Sequence, residues 1–89
     1  MNTDKIKIFI ADDHPIFRGG LRQLIETAPR MAIIGEAKDG AEAIERLLAS
    51  PADVALLDID MPKADGFEVL TALREKGLTL QFVFLTMHK

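Results

Sequence analysis

The stretch I-K-I-F-I-A-D-D-H-P, residues 6–15, decides the fold. Its first six residues are mostly β-branched or aromatic, and two aspartates stop the run. This pattern predicts a short strand, Ile6–Ala11, that is buried on both faces. Pro15 suits the first position of a helix, where its missing amide hydrogen costs nothing. A buried strand that leads directly into a helix is the first half of a β-α-β unit.

The predicted helix covers His14–Ala28, and its apolar residues recur at helical spacing. We expect these residues to face inward: Phe17, Leu21, Leu24 and Ala28. The pair Gly19-Gly20 weakens the helix by about 1 kcal/mol per glycine. We therefore expect a packing reason for the pair.

The same alternation continues to the end of the sequence. Three further short apolar runs predict strands: Met31–Ala37, Val54–Leu57 and Gln81–Thr86. Between them, two D-G-x-E stretches, starting at Asp39 and Asp65, predict helix starts with an aspartate cap and a glutamate at the third position, a variant of the capping box. The apolar residues expected to face inward on these helices are Ile44, Leu47, Leu48, Leu70 and Leu73.

The resulting order is β-α-β-α-β-α-β. Regular alternation predicts an α/β fold in which a parallel sheet is connected by right-handed crossovers and has helices on both faces. The 89 residues suit a single domain, 1–89, with no room for a second.

Composition excludes several classes of protein. The chain has no cysteine, so a disulfide framework and a thiol nucleophile are excluded. The net charge of −3 does not suggest direct binding to nucleic acid. No apolar run approaches the roughly 20 residues of a membrane span, and the polar N-terminus has no signal-peptide core. We therefore expect a cytoplasmic protein with no membrane contact.

Acidic and hydroxyl side chains follow three of the predicted strands. Asp12 and Asp13 follow the first strand, Asp58 and then Asp60 follow the third, and Thr86 ends the fourth. Functional groups of an open α/β sheet gather beyond the carboxyl ends of its strands. Two like charges about 4 Å apart repel by roughly 4 kcal/mol at an effective dielectric constant of about 20. A hard divalent cation such as Mg²⁺ would offset that repulsion, and a carboxylate can act as a nucleophile toward phosphorus.

Each of these residues also has a structural interpretation. Asp12 or Asp13 would favour the positive N-terminus of the first helix, Asp60 would begin a turn, and Thr86 is an ordinary strand residue. Their convergence at one end of the sheet favours a functional site. His14 and His88 are given no catalytic role.

Four stretches carry a resemblance to a known family. They are I-A-D-D-H-P-I-F-R-G-G-L-R (10–22), D-V-A-L-L-D-I-D-M-P (53–62), D-G-F-E-V-L (65–70) and F-L-T-M (84–87). Together they resemble the response-regulator receiver domains of two-component systems, and the D-D-H-P start resembles the NarL/FixJ (LuxR-type) branch. The resemblance implies the flavodoxin-like strand order 2-1-3-4-5, which brings the first and third strands together.

The resemblance also implies roles for individual residues. Asp58 would be the phosphoacceptor, with a sensor histidine kinase as the phosphoryl donor. Mg²⁺ or Mn²⁺ would be held by Asp13, Asp58 and the backbone carbonyl of Asp60, with Asp12 assisting through water. Thr86 would be the switch hydroxyl.

The sequence departs from the family pattern after the fourth strand. The fourth helix, the fifth strand with its catalytic lysine, and the fifth helix are absent, as is an output domain, so we expect a truncated receiver whose phosphorylation is compromised. We also expect self-association through the exposed edge of the strand Gln81–Thr86, which is uncharged and rich in β-forming residues.

Two other functions stay open. A truncated receiver could act only as a protein-interaction module. The D-x-D pair Asp58 and Asp60 also resembles the core of haloacid-dehalogenase-type phosphatases, although Pro62 and the position after the third strand do not fit that pattern.

Overall fold

A computed structural model describes residues 5–85. Its elements are β1 (Ile6–Ala11), α1 (Pro15–Glu26), β2 (Met31–Ala37), α2 (Gly40–Ala49), β3 (Val54–Asp58), α3 (Gly66–Glu75) and β4 (Gln81–Leu85). Every strand and helix predicted from the sequence is present. The first helix is shorter at both ends than predicted, β3 extends one residue further to include Asp58, and Thr86 lies outside the described residues.

The four strands form one parallel sheet in the order β2-β1-β3-β4. The predicted α/β fold is confirmed. The first strand lies at the centre, where it pairs with β2 on one side and with β3 on the other. Within residues 5–85, β4 pairs only with β3 and forms one edge of the sheet.

The closed face of the sheet is the one covered by α2 and α3. Its core joins strand residues such as Phe9 and Leu57 to helix residues such as Leu47 and Leu73. These four side chains are almost completely excluded from solvent. Burying a side chain of this size contributes roughly 1.5–3 kcal/mol, so this face supplies much of the hydrophobic stabilisation.

The open face is the opposite side of the sheet, where α1 lies. Alternate residues of a strand point to opposite faces, so Ile8 and Ile10 of the central strand point here, and both are buried. Toward the β4 edge the cover is thinner, and Val83 is 45% exposed. No residue of α1 is fully buried.

Three expectations about packing are wrong. Leu24 of α1 is 70% exposed and Leu48 of α2 is 37% exposed, so neither side chain belongs to the core. The expected packing reason for Gly19-Gly20 is also missing, since a Cβ atom built on either glycine meets no atom within 4 Å.

Aspartate caps begin both helices of the closed face. The Asp65 side chain accepts from the Glu68 amide at 2.8 Å, and the Glu68 carboxylate accepts from the Asp65 amide at 2.8 Å, which completes a capping box at α3. At α2, Asp39 accepts from the Glu42 amide, but the Glu42 carboxylate accepts from the Lys38 amide instead. The predicted capping box is therefore complete at α3 and only half formed at α2.

No helix within residues 5–85 is long and apolar enough to cross a membrane.

Candidate functional site

Three carboxylates meet at the carboxyl end of the two central strands. β1 and β3 pair in parallel with Ala11 opposite Leu57, so the residues that follow, Asp12 and Asp58, emerge side by side. Both are almost fully buried, and Asp13 is partly buried beside them. The clustering predicted from strand order is therefore present in the described structure.

Local hydrogen bonds fix the Asp12 side chain and backbone. Its Oδ1 accepts from the His14 amide at 2.6 Å, and its own amide donates to the Ala37 carbonyl at 3.0 Å. The Arg18 guanidinium donates to the Asp12 carbonyl at 2.5 Å and also to the Glu36 carboxylate at 3.1 Å. α1 and β2 thus both hold the end of β1, a positioning role for Arg18 that the sequence interpretation missed.

The Asp58 carboxylate is held from one side only. Its Oδ1 accepts from the Asp60 amide at 3.1 Å, a turn-type contact two residues ahead. Asp60 itself is exposed, and the role predicted for its carbonyl oxygen stays a prediction. Thr86 lies outside the described residues, so its predicted position in the site is not described.

Three oxygens of the cluster are buried and accept no hydrogen bond: Asp12 Oδ2, Asp58 Oδ2 and Asp13 Oδ1, although His14 Nδ1 lies 3.0 Å from the last of these. An unpaired buried acceptor costs roughly 1–3 kcal/mol, and more when it is charged. Burial, and then the charges of Asp12 and Asp13, raise the pKa of Asp58, against the lowering effect of the Asp60 amide. A site with these properties favours a bound cation.

The imidazole of His14 lies within the same cluster. Its Nδ1 is 3.2 Å from Asp12 Oδ1, 3.0 Å from Asp13 Oδ1 and 3.8 Å from Asp58 Oδ2. Together, these four residues offer one ligand atom each within 4.8 Å of one another, a spacing compatible with one metal ion. The sequence interpretation gave His14 no role in the site.

The two D-G pairs shape the loop that follows Asp58. A Cβ atom on Gly66 would lie 2.9 Å from the Asp58 carbonyl oxygen, and the Gly66 amide donates to the Ile59 carbonyl at 3.1 Å. Gly40 approaches the backbone of Ala64 so closely that a Cβ atom there would clash with it. The sequence indicated only capping at these positions, because close backbone approach leaves no pattern in a single sequence.

The sequence profile of the response regulator receiver domain matches residues 8–89. Among curated relatives, the chain is 43% identical over 81 residues to the nitrate/nitrite response regulator protein NarP of Escherichia coli K12, covering 91% of this chain and 38% of NarP. It is 40% identical over 86 residues to NarL of the same strain, covering 97% of this chain and 40% of NarL. The chain thus spans about two fifths of the length of these relatives.

A solved structure shares the fold over nearly the whole chain. It is the signal receiver domain of the putative response regulator NarL from Mycobacterium tuberculosis, with a TM-score of 0.91 and 37% identity. The match covers 97% of this chain and 69% of that one. The LuxR-family response regulator of Aurantimonas sp. SI85-9A1 also matches, with a TM-score of 0.88 and 33% identity, over 96% of this chain and 61% of that one.

Proposed function

The chain belongs to the response regulator receiver domain family, within its NarL/LuxR-type branch, and from that premise we propose that Asp58 is its phosphoacceptor. Asp58 ends a central strand, where a nucleophile of an α/β sheet is expected. The observation that carries the proposal is the cluster itself: three carboxylates at the ends of β1 and β3, each with a buried oxygen that accepts no hydrogen bond. A divalent cation at such a site would offset the negative charge of the carboxylates and of an incoming phosphoryl group.

The proposed reaction is an attack by one Asp58 oxygen on phosphorus. The new O–P bond forms as the P–N bond of a phosphohistidine breaks, and the histidine of the donor regains a proton. The product is an acyl phosphate on Asp58. We propose a sensor histidine kinase as the donor, because receiver domains interact with such kinases, and a cytoplasmic location for the exchange.

The residues around Asp58 fit a divalent cation, and Mg²⁺ or Mn²⁺ is proposed. When bound, such an ion supplies positive charge that offsets the carboxylates and the incoming phosphoryl oxygens. We propose Asp13, Asp58 and the Asp60 carbonyl as its protein ligands, with Asp12 acting through water. The Asp60 amide holds the second Asp58 oxygen, which orients the carboxylate. Thr86 is the proposed switch hydroxyl.

The phosphoacceptor is tested with acetyl phosphate and Mg²⁺, followed by peptide mass spectrometry. We expect one modified aspartate, Asp58, and no modification in Asp58→Asn. Asp53→Asn is the matched control, because Asp53 precedes the same strand at the opposite end of the sheet and is exposed. Modification that persists in Asp58→Asn would contradict the assignment. A chain that takes no phosphoryl group would favour the interaction-module alternative.

The phosphatase alternative finds no support in the geometry. It requires Asp60 to act on the substrate beside Asp58 and leaves Asp12 and Asp13 without a role. Asp60 is exposed, whereas Asp12 and Asp13 share one cluster with Asp58. The family match is to a receiver domain and not to an enzyme family.

We also propose self-association of this chain through β4. The strand is an edge of the described sheet, its outer backbone groups are unpaired there, and Val83 is exposed. Edge strands of this composition pair readily with another chain. Sedimentation at micromolar concentration is expected to show a dimer. Val83→Lys should raise its dissociation constant at least about tenfold (about 1.4 kcal/mol). Thr71→Lys, on the exposed side of α3, is the control and should not affect it. A monomer throughout the concentration range would contradict the proposal.

A further inference from the structure

We infer that the imidazole of His14 is a nitrogen ligand of the divalent cation. This site should therefore favour Ni²⁺ and similar transition ions over Mg²⁺ more strongly than a site made of oxygen ligands alone. The inference rests on the cation site proposed above and adds to it a ligand from a residue outside the acidic set. It predicts a property that a site made only of oxygen ligands would lack, namely dependence on one histidine.

The spacing of the ligand atoms is the first support. Two ligands at right angles around an ion, each about 2.1 Å from it, lie about 3 Å apart, and opposite ligands about 4.2 Å apart. His14 Nδ1 is 3.0 and 3.2 Å from the nearest oxygens of Asp13 and Asp12, and 3.8 Å from the nearest oxygen of Asp58. The distances to Asp13 and Asp58 suit direct ligands of one ion, and Asp12, which is proposed to act through water, lies beside them.

The burial of the acceptors is the second, independent support. Asp12 and Asp58 are at least nine-tenths buried, and each directs an oxygen with no partner into the cluster. Among residues 5–85, His14 is the only basic side chain that lies within 4.0 Å of these carboxylates. No described lysine or arginine takes the place of a cation there.

The His14 ring has one hydrogen-bonding contact, between Nδ1 and Asp12 Oδ1 at 3.2 Å, which coordination of an ion would replace. His14 is the N-cap residue of α1, but its side chain makes no capping hydrogen bond. Its backbone amide is fixed by Asp12 Oδ1, which holds the start of its side chain at the cluster. About a third of the side chain is exposed, so an ion can reach the ring from solvent.

The choice of ion follows from ligand chemistry. Carboxylate and carbonyl oxygens suit Mg²⁺ and Mn²⁺, whereas imidazole nitrogen suits Ni²⁺, Zn²⁺ and Cu²⁺. Removing the imidazole, as in His14→Ala, should therefore weaken Ni²⁺ binding far more than Mg²⁺ binding. Because no capping bond is lost, His14→Ala should leave the start of α1 intact.

The test measures Ni²⁺ and Mg²⁺ affinity by calorimetry in the unmodified chain, in His14→Ala and in His88→Ala. His88 is the only other histidine, so its variant is the matched control. We expect His14→Ala to lower Ni²⁺ affinity at least roughly tenfold and Mg²⁺ affinity by less than about twofold. Pulsed electron paramagnetic resonance of the Mn²⁺-loaded chain should show coupling to an imidazole nitrogen that is lost in His14→Ala and kept in His88→Ala.

Several outcomes would overturn the inference. Nitrogen coupling that persists in His14→Ala would do so, as would an equal loss of affinity for both ions. A rise in Mg²⁺ affinity in His14→Ala would show that the ring competes with the ion. Mg²⁺ binding that depends on Asp13 without any nitrogen coupling would defeat this inference alone, whereas absence of all divalent binding would defeat the proposed cation site as well.

Discussion

The two faces of the sheet are built from similar residues but packed very differently. On the closed face, α2 and α3 contact each other and cover the strands, so that leucines such as Leu47 and Leu73 are fully buried. On the open face, α1 is the only helix within residues 5–85 that lies against the strands, and none of its residues is fully buried. Apolar residues at helical spacing are therefore not enough to predict burial. A helix residue is fully buried only where a second element also packs against it.

Leucine-to-alanine substitution on each face tests this contrast, and it should give the largest change in the free energy of unfolding. Leu73→Ala should lower the free energy of unfolding by about 2–5 kcal/mol, because it removes a fully buried side chain and leaves a cavity. Leu24→Ala should cost less than about 0.5 kcal/mol, because that side chain is 70% exposed. Urea unfolding of both variants measures the difference. Equal losses would show that α1 is buried in solution, by self-association or otherwise.

Glycine-to-alanine substitution should change the free energy of unfolding in opposite directions on the two faces. Gly40→Ala, at the start of α2, places a Cβ atom against the backbone of Ala64 and should cost roughly 1–3 kcal/mol. Gly20→Ala, inside α1, meets nothing within 4 Å and should stabilise the chain by about 1 kcal/mol. Thermal unfolding compares the two. A loss of stability in Gly20→Ala would mean that the open face is occupied by a neighbour.

The last test concerns the carboxyl ends of the central strands, where Asp58 lies, and the dependence of stability on pH. The folded-state pKa of Asp58 is raised, so folding favours its protonated form. Stability from this group is therefore greatest below its ordinary pKa and is lost as the pH rises through the raised value. Asp58→Asn should accordingly stabilise the metal-free chain by about 1 kcal/mol at pH 7.

The gain in Asp58→Asn should shrink as the pH falls toward the ordinary pKa of aspartate. Unfolding curves at several pH values, with chelator present, measure this trend. Asp53→Asn is a control for the loss of one carboxylate. It also removes the hydrogen bond that its side chain accepts from the Lys7 amide, so it should not stabilise the chain at pH 7. A gain in Asp58→Asn that does not depend on pH would contradict the raised pKa.

The fold class could be predicted from local patterns, and the acid cluster from those patterns together with the family resemblance. Apolar runs ended by aspartates identified β1 and β3, and the strand order that the resemblance implies then brought Asp12 and Asp58 together. Features that depend on contacts between distant residues were missed. They include the approach of the His14 ring to three carboxylates, the link from Arg18 to Glu36, and the close backbone contact at Gly40.

The expected burial of Leu24 in α1 failed for a related reason. Phe17, Leu21 and Leu24 define an apolar stripe, but α1 is the only helix described on this face, and Phe17 and Leu21 are partly buried while Leu24 is exposed. Leu48 of α2 shows the same limit on the closed face, since it is 37% exposed. The spacing of apolar residues indicates which side of a helix faces the sheet. Whether a residue at the border of that side is buried depends on the neighbouring elements.

The central position of β1 has a consequence for the order of folding. β1 is made first, yet its two partners are β2 and β3, so its second edge is closed only after the chain has been made through Asp58. Until then the strand Ile6–Ala11 cannot complete its pairing. Parallel pairing across such separations is slow, because the entropy cost of closing each crossover loop comes before the contacts that offset it. The strand that leads into two of the three clustered carboxylates is thus made before both of its partner strands, and its pairing is completed only when β3 is in place.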